Sequence, residues 1–354
     1  MVDYLVIGLG LAGIAMCETL EKNQNSFKVI ADESQTSSVV AGGLYNPVIL
    51  KRFTLAWNAK EQLSIALPLY KNLEVKLQLQ LDYKIPVLRK FASIEEQNLW
   101  FEALDKPQLH HFLSPKIIQN KNPNIDAPFG YGEVLDTGRI DTKTLLLAYK
   151  AYLERKEALC NETFEFSELK VENHSVSYKG IIAKRIVFAT GFGLQGNPYF
   201  NYLPLHGTKG ELLTIKAPEL KENKVVKSSV FIIPMGNDLY RIGATYNRDD
   251  KTNNVSAEAK EELLKKLDTF LKCSYEVVDH KAGIRPTVAD RKPLVGEHPK
   301  FKNVFVLNGF GSRGVMTGPY AALQLYNFIE QKTPIASEID CKRFLKRYIT
   351  SLQQ

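Results

Sequence analysis

Residues 4–13 read Tyr4-Leu-Val-Ile-Gly8-Leu-Gly10-Leu-Ala-Gly13, an apolar run that enters a turn containing three glycines. The run is typical of a buried parallel strand, and the residues after the turn predict a helix. Gly8 permits the tight turn, Gly10 lets the backbone approach a pyrophosphate, and Gly13 lets the helix pack on the strand. We therefore expect a dinucleotide whose phosphates lie on the free N–H groups at the helix N-terminus.

The next segment supplies the acidic residue that such a motif requires. A helix from Leu11 to about Lys22 is followed by a second predicted strand, Phe27–Ala31, which ends at Asp32. An acid about 20 residues beyond the glycine turn is suited to bind a ribose hydroxyl. Glu33 is the alternative for this role, because a predicted strand end can shift by a couple of residues. The competing interpretation is an ordinary glycine turn in a parallel sheet.

The composition fits a globular protein of one large or two ordinary domains. The chain has 354 residues, of which 44% are hydrophobic and 24% charged, so it can bury a substantial core. No run of about 18 uncharged apolar residues occurs, which argues against a membrane span. The net charge of +7 permits an anionic substrate or a nucleic acid without requiring either.

The cysteine pattern indicates a reducing compartment. Cys17, Cys160, Cys273 and Cys341 are far apart and form no CxxC pair, so they give no metal signal. The glycine turn begins at residue 8, which leaves no room for a secretory leader. We therefore expect a cytoplasmic protein, whose oligomeric state the sequence leaves open.

The patterns that follow predict alternating helices and strands. Residues 83–91 predict an edge strand, because Pro86 cannot donate to a ladder. Ser93–Glu96 forms a capping box before a short helix that extends to residue 104. Residues 107–128, rich in proline and asparagine, predict a loop. Further helices are predicted over Leu55 to about Gln80, Thr142 to about Lys156 with Asp141 as N-cap, Ala257 to about Leu271, and a last stretch ending near Gln331.

The remaining strand patterns determine the predicted architecture. Strand-like runs lie around Phe164 and Val176, and a buried strand ends in Ile186-Val-Phe-Ala-Thr-Gly191. Closely spaced strands over residues 211–216, 230–234 and 239–244 predict an antiparallel sheet. This order predicts an α/β protein, in which a doubly wound, Rossmann-like domain assembled from separated segments carries an inserted antiparallel-sheet domain.

Five motifs, taken in order, resemble those of the FAD-dependent D-amino-acid oxidase superfamily, the group that contains glycine oxidase and sarcosine oxidase. They are Gly8–Gly13 with Asp32, Ala41-Gly-Gly-Leu44, Gly138–Asp141, Ala189-Thr-Gly191, and Gly283-Ile-Arg-Pro286 with Asp290 and Pro293 before Gly309–Gly314. The resemblance covers nearly the whole chain. It implies an FAD-binding domain of residues 1–80, 140–200 and 286–354 and a substrate domain of residues 81–139 and 201–285.

The resemblance also implies cofactor-binding roles for the matching positions. A helix N-terminus at the pyrimidine edge of the flavin stabilises the negative charge that a reduced flavin carries there. The positions assigned to FAD are Gly8, Gly10, Leu11, Ala12 and Gly13 at the pyrophosphate; Asp32 or Glu33 at the ribose; Ser37 and Ser38 where the loop passes the cofactor; Ala41, Gly42, Gly43 and Leu44 beside the isoalloxazine ring; Phe166 near the adenine; Thr190 and Gly191 over the nucleotide half; and Gly309, Phe310, Gly311, Ser312, Gly314, Val315 and Met316 at the pyrimidine edge.

On the substrate side, the resemblance assigns Arg285 to a two-pronged pair with a substrate carboxylate, a geometry that a guanidinium offers and an ammonium does not. The alternative is an arginine paired within the last strands. Arg313 is either a second anion contact or a surface arginine. Glycine oxidase has a tyrosine hydroxyl near the carboxylate where this chain has Phe231. The candidates to replace that hydroxyl are Tyr202, Tyr240 and Tyr246.

The resemblance therefore implies an FAD-dependent oxidoreductase that oxidises the C–N bond of an amine or amino acid bearing a carboxylate. Hydride would pass to non-covalent FAD, because no cysteine or histidine stands where a covalent flavin link is expected. The substrate and the electron acceptor (oxygen, a quinone or a protein) stay open.

Three alternatives remain. Gly43-Leu-Tyr and the ending Gly311–Gly314 with Pro319 also resemble the oxidase half of the bacterial enzyme that modifies the wobble uridine of tRNA, which removes a carboxymethyl group from a secondary amine. With that identity tRNA would be the partner, in place of a small-molecule amine or amino acid. A nicotinamide-dependent dehydrogenase and a non-catalytic flavin-binding module are the other two.

Overall fold

The computed structural model describes residues 1–353 of the chain. No helix among them is both long and apolar enough to cross a membrane. The α-helices are α1 (Leu11–Lys22), α2 (Ser37–Val40), α3 (Ala59–Leu77), α4 (Ile94–Leu104), α5 (Thr142–Arg155), α6 (Ala257–Asp268), α7 (Gly314–Gln331) and α8 (Leu345–Ser351). Shorter 3-10 helices span Phe166–Glu168, Gly191–Gly196 and Cys341–Phe344.

The β-strands, in chain order, are β1 (Val2–Ile7), β2 (Phe27–Ala31), β3 (Leu44–Tyr45), β4 (Val48–Ile49), β5 (Thr54–Leu55), β6 (Asp82–Tyr83), β7 (Val87–Lys90), β8 (Leu113–Ile118), β9 (Tyr131–Val134), β10 (Gly138–Ile140), β11 (Leu159–Asn161), β12 (Leu169–Val171), β13 (Val176–Tyr178), β14 (Ile181–Phe188), β15 (Leu205–Lys216), β16 (Val225–Lys227), β17 (Phe231–Gly236), β18 (Leu239–Gly243), β19 (Glu276–Val288), β20 (Leu294–Glu297) and β21 (Val304–Asn308).

One eight-stranded sheet contains the strand that enters the glycine turn. Its order is β11-β2-β1-β14-β13-β12, with β21 beside β14 and β20 beside β21. The pairs that join β11, β2, β1, β14 and β21 are parallel, whereas β12, β13 and β20 join antiparallel. This mixed sheet contains the parallel β1–β2 pair that the sequence predicts, and the α/β fold class is confirmed.

A second eight-stranded sheet has the order β19-β15-β18-β17-β16-β7-β9-β8. All of its pairs are antiparallel except the pair between β16 and β7, so the predicted antiparallel sheet is confirmed. The domain boundaries stay a prediction: the boundary at residues 285 and 286 falls inside β19, and one hydrophobic cluster joins Tyr4 of the first sheet to Val87 of the second.

The first strand and helix form because their residues allow the backbone to pack closely. Tyr4 to Val6 are fully buried in β1, and Gly8 has a φ of +98°, a conformation that favours glycine. An ideal Cβ atom at Gly13 would lie 2.0 Å from the carbonyl oxygen of Gly8. The helix α1 can therefore lie against the end of β1 only because position 13 has no side chain.

Two predicted helices have the N-caps expected, and two others are shorter than predicted. The Ser93 hydroxyl accepts a hydrogen bond from the N–H of Glu96 at the start of α4, and the Asp141 carboxylate accepts one from Thr144 at the start of α5. The predicted helix over Leu55 to about Gln80 is longer than α3 at both ends. Leu55 belongs to β5, Asn58 precedes the helix with a left-handed backbone conformation, and α3 ends at Leu77. The helix α6 likewise ends three residues early, at Asp268.

The predicted edge strand over residues 83–91 is wrong. It is two short strands in different sheets, and β7 lies in the interior of its sheet between β16 and β9. Pro86 stands just before β7, where its carbonyl accepts a hydrogen bond from the N–H of Val225. Since the missing N–H of proline falls between the two strands, it does not interrupt either ladder.

Two further predictions are wrong because packing decides the local structure. Residues 107–128 are not entirely loop, since β8 pairs with β9 there. The strand tolerates Pro115 because it is the sheet edge and its register shifts between Leu113 and Ile117. The apolar run around Phe164 is not a strand; its ring stacks on Tyr178 with centroids 4.5 Å apart, so its hydrophobic character reflects an aromatic cluster.

Substitution Gly13→Ala tests the close packing of α1 on β1. Alanine favours a helix interior over glycine by about 1 kcal/mol, so without the contact the variant would be stabilised. The overlap of the new methyl group with the Gly8 carbonyl outweighs this gain in stability. We therefore expect the free energy of unfolding to fall by about 1–3 kcal/mol.

The urea midpoint of the purified protein measures this loss. Gly196→Ala is the matched control, because a Cβ atom at Gly196 would meet nothing within 4 Å. A Gly13→Ala variant as stable as the control would contradict the packing described for α1.

Candidate active site

A cavity of about 900 Å³ is lined by residues of both eight-stranded sheets. This volume lies in the upper part of the range of roughly 300–1,000 Å³ found for ligand pockets. The residues that follow β1, β2 and β14 line it, as does Asn308 at the end of β21. Open α/β sheets bind their ligands at this carboxyl edge of the strands.

One end of the cavity is formed by the glycine turn and the start of α1. Gly8, Gly10, Leu11 and Ala12 line it, and an ideal Cβ atom at Gly10 would lie 3.1 Å from the Ser38 hydroxyl oxygen. Unlike Gly13, Gly10 meets no backbone atom there, and it lines the cavity. The first N–H groups of α1 lack partners within the helix and are suited to an anion.

The acidic residue after β2 is held in place by its neighbours. Asp32 accepts hydrogen bonds from the N–H and hydroxyl of Ser34, at 3.1 and 2.6 Å, and from the Thr163 hydroxyl at 2.9 Å. Burial raises the pKa of Asp32, but these hydrogen bonds outweigh it, so the net pKa is lowered. The Glu33 side chain is 86% exposed and pairs with Lys150, so Asp32 is the better-positioned acid.

Most of the residues that the sequence predicts for the cofactor line this one cavity. The two exceptions, Gly13 and Gly309, do not line it. Gly13 faces the backbone of Gly8, and an ideal Cβ atom at Gly309 would lie 2.5 Å from a methyl group of Val288. Those that line the cavity are Gly8, Gly10, Leu11, Ala12, Asp32, Glu33, Ser37, Ser38, Ala41, Gly42, Gly43, Leu44, Phe166, Thr190, Gly191, Phe310, Gly311, Ser312, Gly314, Val315 and Met316.

One buried polar atom of the lining has no partner within the described residues. The Thr190 hydroxyl oxygen is buried and makes no hydrogen bond, although a buried polar group is normally paired. It follows β14, on the strand end beside the Gly8 turn, where an ideal Cβ atom at Gly8 would lie 2.6 Å from the Ala189 carbonyl oxygen. This hydroxyl and the glycine turn at Gly10, which both line the cavity, fit a polar ligand that spans the turn.

The other end of the cavity contains two guanidinium groups. Arg285 of β19 donates to the carbonyl oxygen of Thr245 at 3.3 Å, and its guanidinium carbon lies 5.3 Å from the centroid of the Tyr246 ring. Burial lowers the pKa of Arg285, and burial also lowers the pKa of Arg313 at the start of α7. Neither forms an ion pair with a carboxylate in residues 1–353, so both charges are available to an anionic ligand.

A glycine gives Arg285 the room to lie over the sheet. An ideal Cβ atom at Gly210 of β15 would lie 2.0 Å from a terminal nitrogen of Arg285. Gly210 pairs with Gly283, and both line the cavity together with Gly243. The sequence did not reveal this role for Gly210, because it depends on the pairing of β15 with β19.

Of the three tyrosines considered near the carboxylate site, Tyr246 lines the cavity with Phe231. Tyr240 is buried in another part of the core, where its hydroxyl accepts a hydrogen bond from the N–H of Glu222. Tyr202 packs against His298 and Tyr348. Tyr246 is therefore the residue of this set that can present a hydroxyl to a ligand at Arg285.

Two further basic residues near the cavity were missed at the sequence level. Arg241 of β18 donates to the carbonyl oxygen of Ala41 at 3.0 Å and so fixes the loop that precedes β3. Lys227, at the end of β16, lines the cavity. No local motif marks either residue, and only the strand register brings them to the site.

Comparison with known proteins gives a family match over most of the chain. The family model described as "DAO: FAD dependent oxidoreductase" matches residues 3–326. The chain is 24% identical to glycine oxidase of Bacillus subtilis (strain 168) over 356 residues, which is 93% of this chain and 93% of that protein.

A second group of relatives is longer. Over 394 residues, the chain is 22% identical to the tRNA 5-methylaminomethyl-2-thiouridine biosynthesis bifunctional protein MnmC of Legionella pneumophila (strain Lens). This match covers 98% of this chain but 57% of that protein. The chain thus spans little more than half the length of this bifunctional relative.

Solved structures share the fold. Glycine oxidase from Geobacillus kaustophilus matches with a TM-score of 0.77 at 20% identity, covering 94% of this chain and 95% of that one. Iminodiacetate oxidase from Chelativorans sp. BNC1 matches with a TM-score of 0.78 at 15% identity, covering 97% and 98%. At these identities the likeness establishes the fold alone.

Proposed function

The chain belongs to the DAO family of FAD-dependent oxidoreductases, and from this premise we propose that it oxidises the C–N bond of a small amine or amino acid that carries a carboxylate. It is an enzyme whose cofactor is FAD. The nicotinamide-dependent and non-catalytic alternatives are therefore set aside.

The observation that carries the proposal is the Arg285 guanidinium at the cavity wall. It is partly buried, its protein acceptor is a single carbonyl oxygen at 3.3 Å, and no carboxylate of residues 1–353 pairs with it. A charged group in this situation gains most from an anionic ligand, because a bidentate carboxylate would satisfy its remaining donors. We assign Arg285 to the substrate carboxylate and Arg313 to a second contact with an anion.

The described residues fit FAD at the other end of the cavity. We propose that the glycine turn and the start of α1 hold the pyrophosphate, that Asp32 binds the ribose, and that the Thr190 hydroxyl donates to the cofactor. The loop at Gly42 and the start of α7 would lie beside the flavin. No cysteine or histidine lines the cavity in the described part of the chain, which supports non-covalent binding.

When bound, FAD supplies the two-electron acceptor for amine oxidation. The residues of this chain bind and orient the substrate: Arg285 fixes the carboxylate, and the Tyr246 ring and hydroxyl limit how it can turn. Leu212, Phe231 and Ile233 give the second sheet an apolar surface along the cavity, which excludes water from the reacting carbon. No general base is required if the amine binds in its neutral form, and no histidine lines the cavity to act as one.

The second candidate is oxidation of a modified base in tRNA. The match of 98% of this chain to the bifunctional tRNA-biosynthesis relative favours it, as does the exposed Lys51 at the cavity lining. We rank it second because Arg285 accounts for a small carboxylate without a nucleic acid.

On either assignment we propose a cytoplasmic location, which the four free cysteines support, and we make no proposal for the oligomeric state.

Flavin reduction under anaerobic conditions distinguishes the two candidates. We expect small carboxylate-bearing amines to bleach the flavin absorbance and tRNA to leave it unchanged. We also expect any affinity for tRNA to be independent of its base modification and to fall steeply as the salt concentration is raised, because contacts with the phosphate backbone have both properties. Bleaching by tRNA with none by a panel of amino acids would reverse the ranking.

Substitution Gly10→Val tests the cofactor end of the cavity. The valine methyl groups would enter the part of the cavity that we propose for the pyrophosphate, and a loss of about 1.4 kcal/mol of binding free energy lowers affinity roughly tenfold. We expect the purified variant to contain at least about tenfold less flavin, with an unchanged urea midpoint for the flavin-free protein. Gly196→Val serves as control, and a fully yellow Gly10→Val protein would refute the assignment.

Substitution Arg285→Ala tests the substrate end. Loss of the charge-assisted pair should weaken binding of a small carboxylate by about 2–4 kcal/mol. The change in flavin absorbance on titration with the carboxylate gives the dissociation constant. Arg285→Lys should recover only part of the loss, because an ammonium cannot form the two-pronged pair.

Gly210→Ala provides an independent variant that keeps the guanidinium. Its methyl group would displace Arg285 from the sheet, so we expect carboxylate affinity to fall while flavin content stays unchanged. Equal carboxylate affinity in the parent protein and in both Arg285 variants would show that another residue holds the substrate.

A further inference from the structure

Lys227 is a second basic residue of the substrate end that the proposed function does not use. It is the last residue of β16 and lines the cavity. Its ammonium nitrogen lies 4.7 Å from the centroid of the Phe231 ring and donates to the carbonyl oxygen of Ser229 at 3.2 Å. An ammonium has three donors, so this contact leaves donors for a ligand.

The charges around Lys227 are positive. Burial, followed by the charges of Arg89 and Lys266, lowers the pKa of Lys227 to about 8. Arg89 of β7 is the neighbour of Lys227 in the strand register. The Arg89 guanidinium forms a salt bridge with the Glu96 carboxylate, with nitrogen and oxygen 2.5 Å apart. Lys227 has no such partner in the described residues, although a partly buried ammonium is costly when it is left unpaired.

The acidic residues of the cavity are all at the nucleotide end. In the described lining these are Asp32, Glu33 and Glu162, and they come from the segments that follow β2 and β11. The substrate end contains Arg285, Arg313 and Lys227 and no carboxylate. The substrate end of the cavity therefore carries three positive charges, and a single substrate carboxylate would neutralise only one of them.

Strand register separates Lys227 from Arg285. Lys227 pairs with Phe231, Phe231 with Gly243, and Gly243 with Leu212. The Arg285 guanidinium lies over Gly210, two residues further along β15. With strands about 4.8 Å apart and a rise of about 3.3 Å per residue, the Cα atoms of Lys227 and Gly210 are roughly 16 Å apart. The register places Phe231 between them, so the two cations occupy different positions along the cavity wall.

We propose that Lys227 binds a second anionic group of the substrate, and that the substrate is an amine or amino acid with two carboxylates. This inference rests on the proposed function, since Arg285 holds the first carboxylate. Lys227 acts as a specificity residue: it contacts the substrate end distant from Arg285 and favours a dicarboxylate over a monocarboxylate of the same length. The second carboxylate gives the ammonium the partner that the protein does not supply.

Two thioethers without an oxidisable amine provide a matched pair of probes. Thiodiacetate carries two carboxylates, whereas (methylthio)acetate carries one. Each is titrated into the flavin-loaded protein, and the change in flavin absorbance gives its dissociation constant. We expect the parent protein to bind thiodiacetate at least about tenfold more tightly, which is the effect of one charge-assisted contact.

Lys227→Met should remove this preference and leave the affinity for (methylthio)acetate unchanged, and Lys227→Arg should retain it. Lys216→Met, an exposed lysine of β15 in the same sheet, is the control and should keep the parent preference. The ratio of kcat/KM for iminodiacetate over glycine should follow the same order among the variants.

A dicarboxylate preference that survives in Lys227→Met would overturn the inference. So would an equal loss of affinity for both thioethers, or an altered absorbance of the resting flavin, since Lys227 would then act on the cofactor or on the whole cavity. Failure of the proposed function has a different signature: Arg285→Ala would leave the affinity for (methylthio)acetate unchanged.

Discussion

The contact between the backbone at Gly8 and at Gly13 is the constraint on which the rest of the site depends. It brings the start of α1 directly onto the end of β1, so the first N–H groups of the helix lie at the carboxyl edge of the sheet, where that of Leu11 donates to the Ser38 hydroxyl at 3.3 Å. An ideal Cβ atom at Gly13 would lie 2.0 Å from the Gly8 carbonyl oxygen, so any side chain would move the helix. Gly10 differs, because an ideal Cβ atom there would lie 3.1 Å from the Ser38 hydroxyl oxygen and meet no backbone, so the two glycines of one motif meet different neighbours.

A second set of close approaches builds the opposite wall. Gly210, Gly243 and Gly283 lie on the cavity side of the antiparallel sheet. An ideal Cβ atom at Gly210 would overlap the Arg285 guanidinium, one at Gly243 would lie 2.9 Å from the Leu212 side chain, and one at Gly283 would lie 3.1 Å from the Cα atom of Ser37. Gly210 thus lets a long cation lie along the sheet and still face the cavity, whereas Gly283 lets α2 approach the sheet.

Local patterns predicted the elements whose cause is local. The α1 bounds, the Ser93 and Asp141 caps and the parallel β1–β2 pair follow from residues that are neighbours in sequence. The errors occurred where distant packing decides: Pro115 is accommodated by an edge-strand bulge, and the Phe164 run by an aromatic stack. The same distinction holds in the site. The glycine motifs indicated most of the residues that line the cavity near the Gly8 turn, whereas the positions of Gly210 and Lys227 follow from strand pairing that no motif encodes.

The departure at Phe231 and the position of Lys227 are connected. A phenylalanine at this point gives the cavity no hydroxyl, and its ring instead carries the Lys227 ammonium at 4.7 Å. A cation over an aromatic face is stabilised by the negative potential of the ring, which partly offsets the missing carboxylate partner. The ring therefore holds the ammonium beside the apolar wall of the cavity, where burial lowers the Lys227 pKa. The absence of a hydroxyl at position 231 and the placement of the Lys227 ammonium both follow from one aromatic ring, and this arrangement is the one from which a second anion contact is proposed.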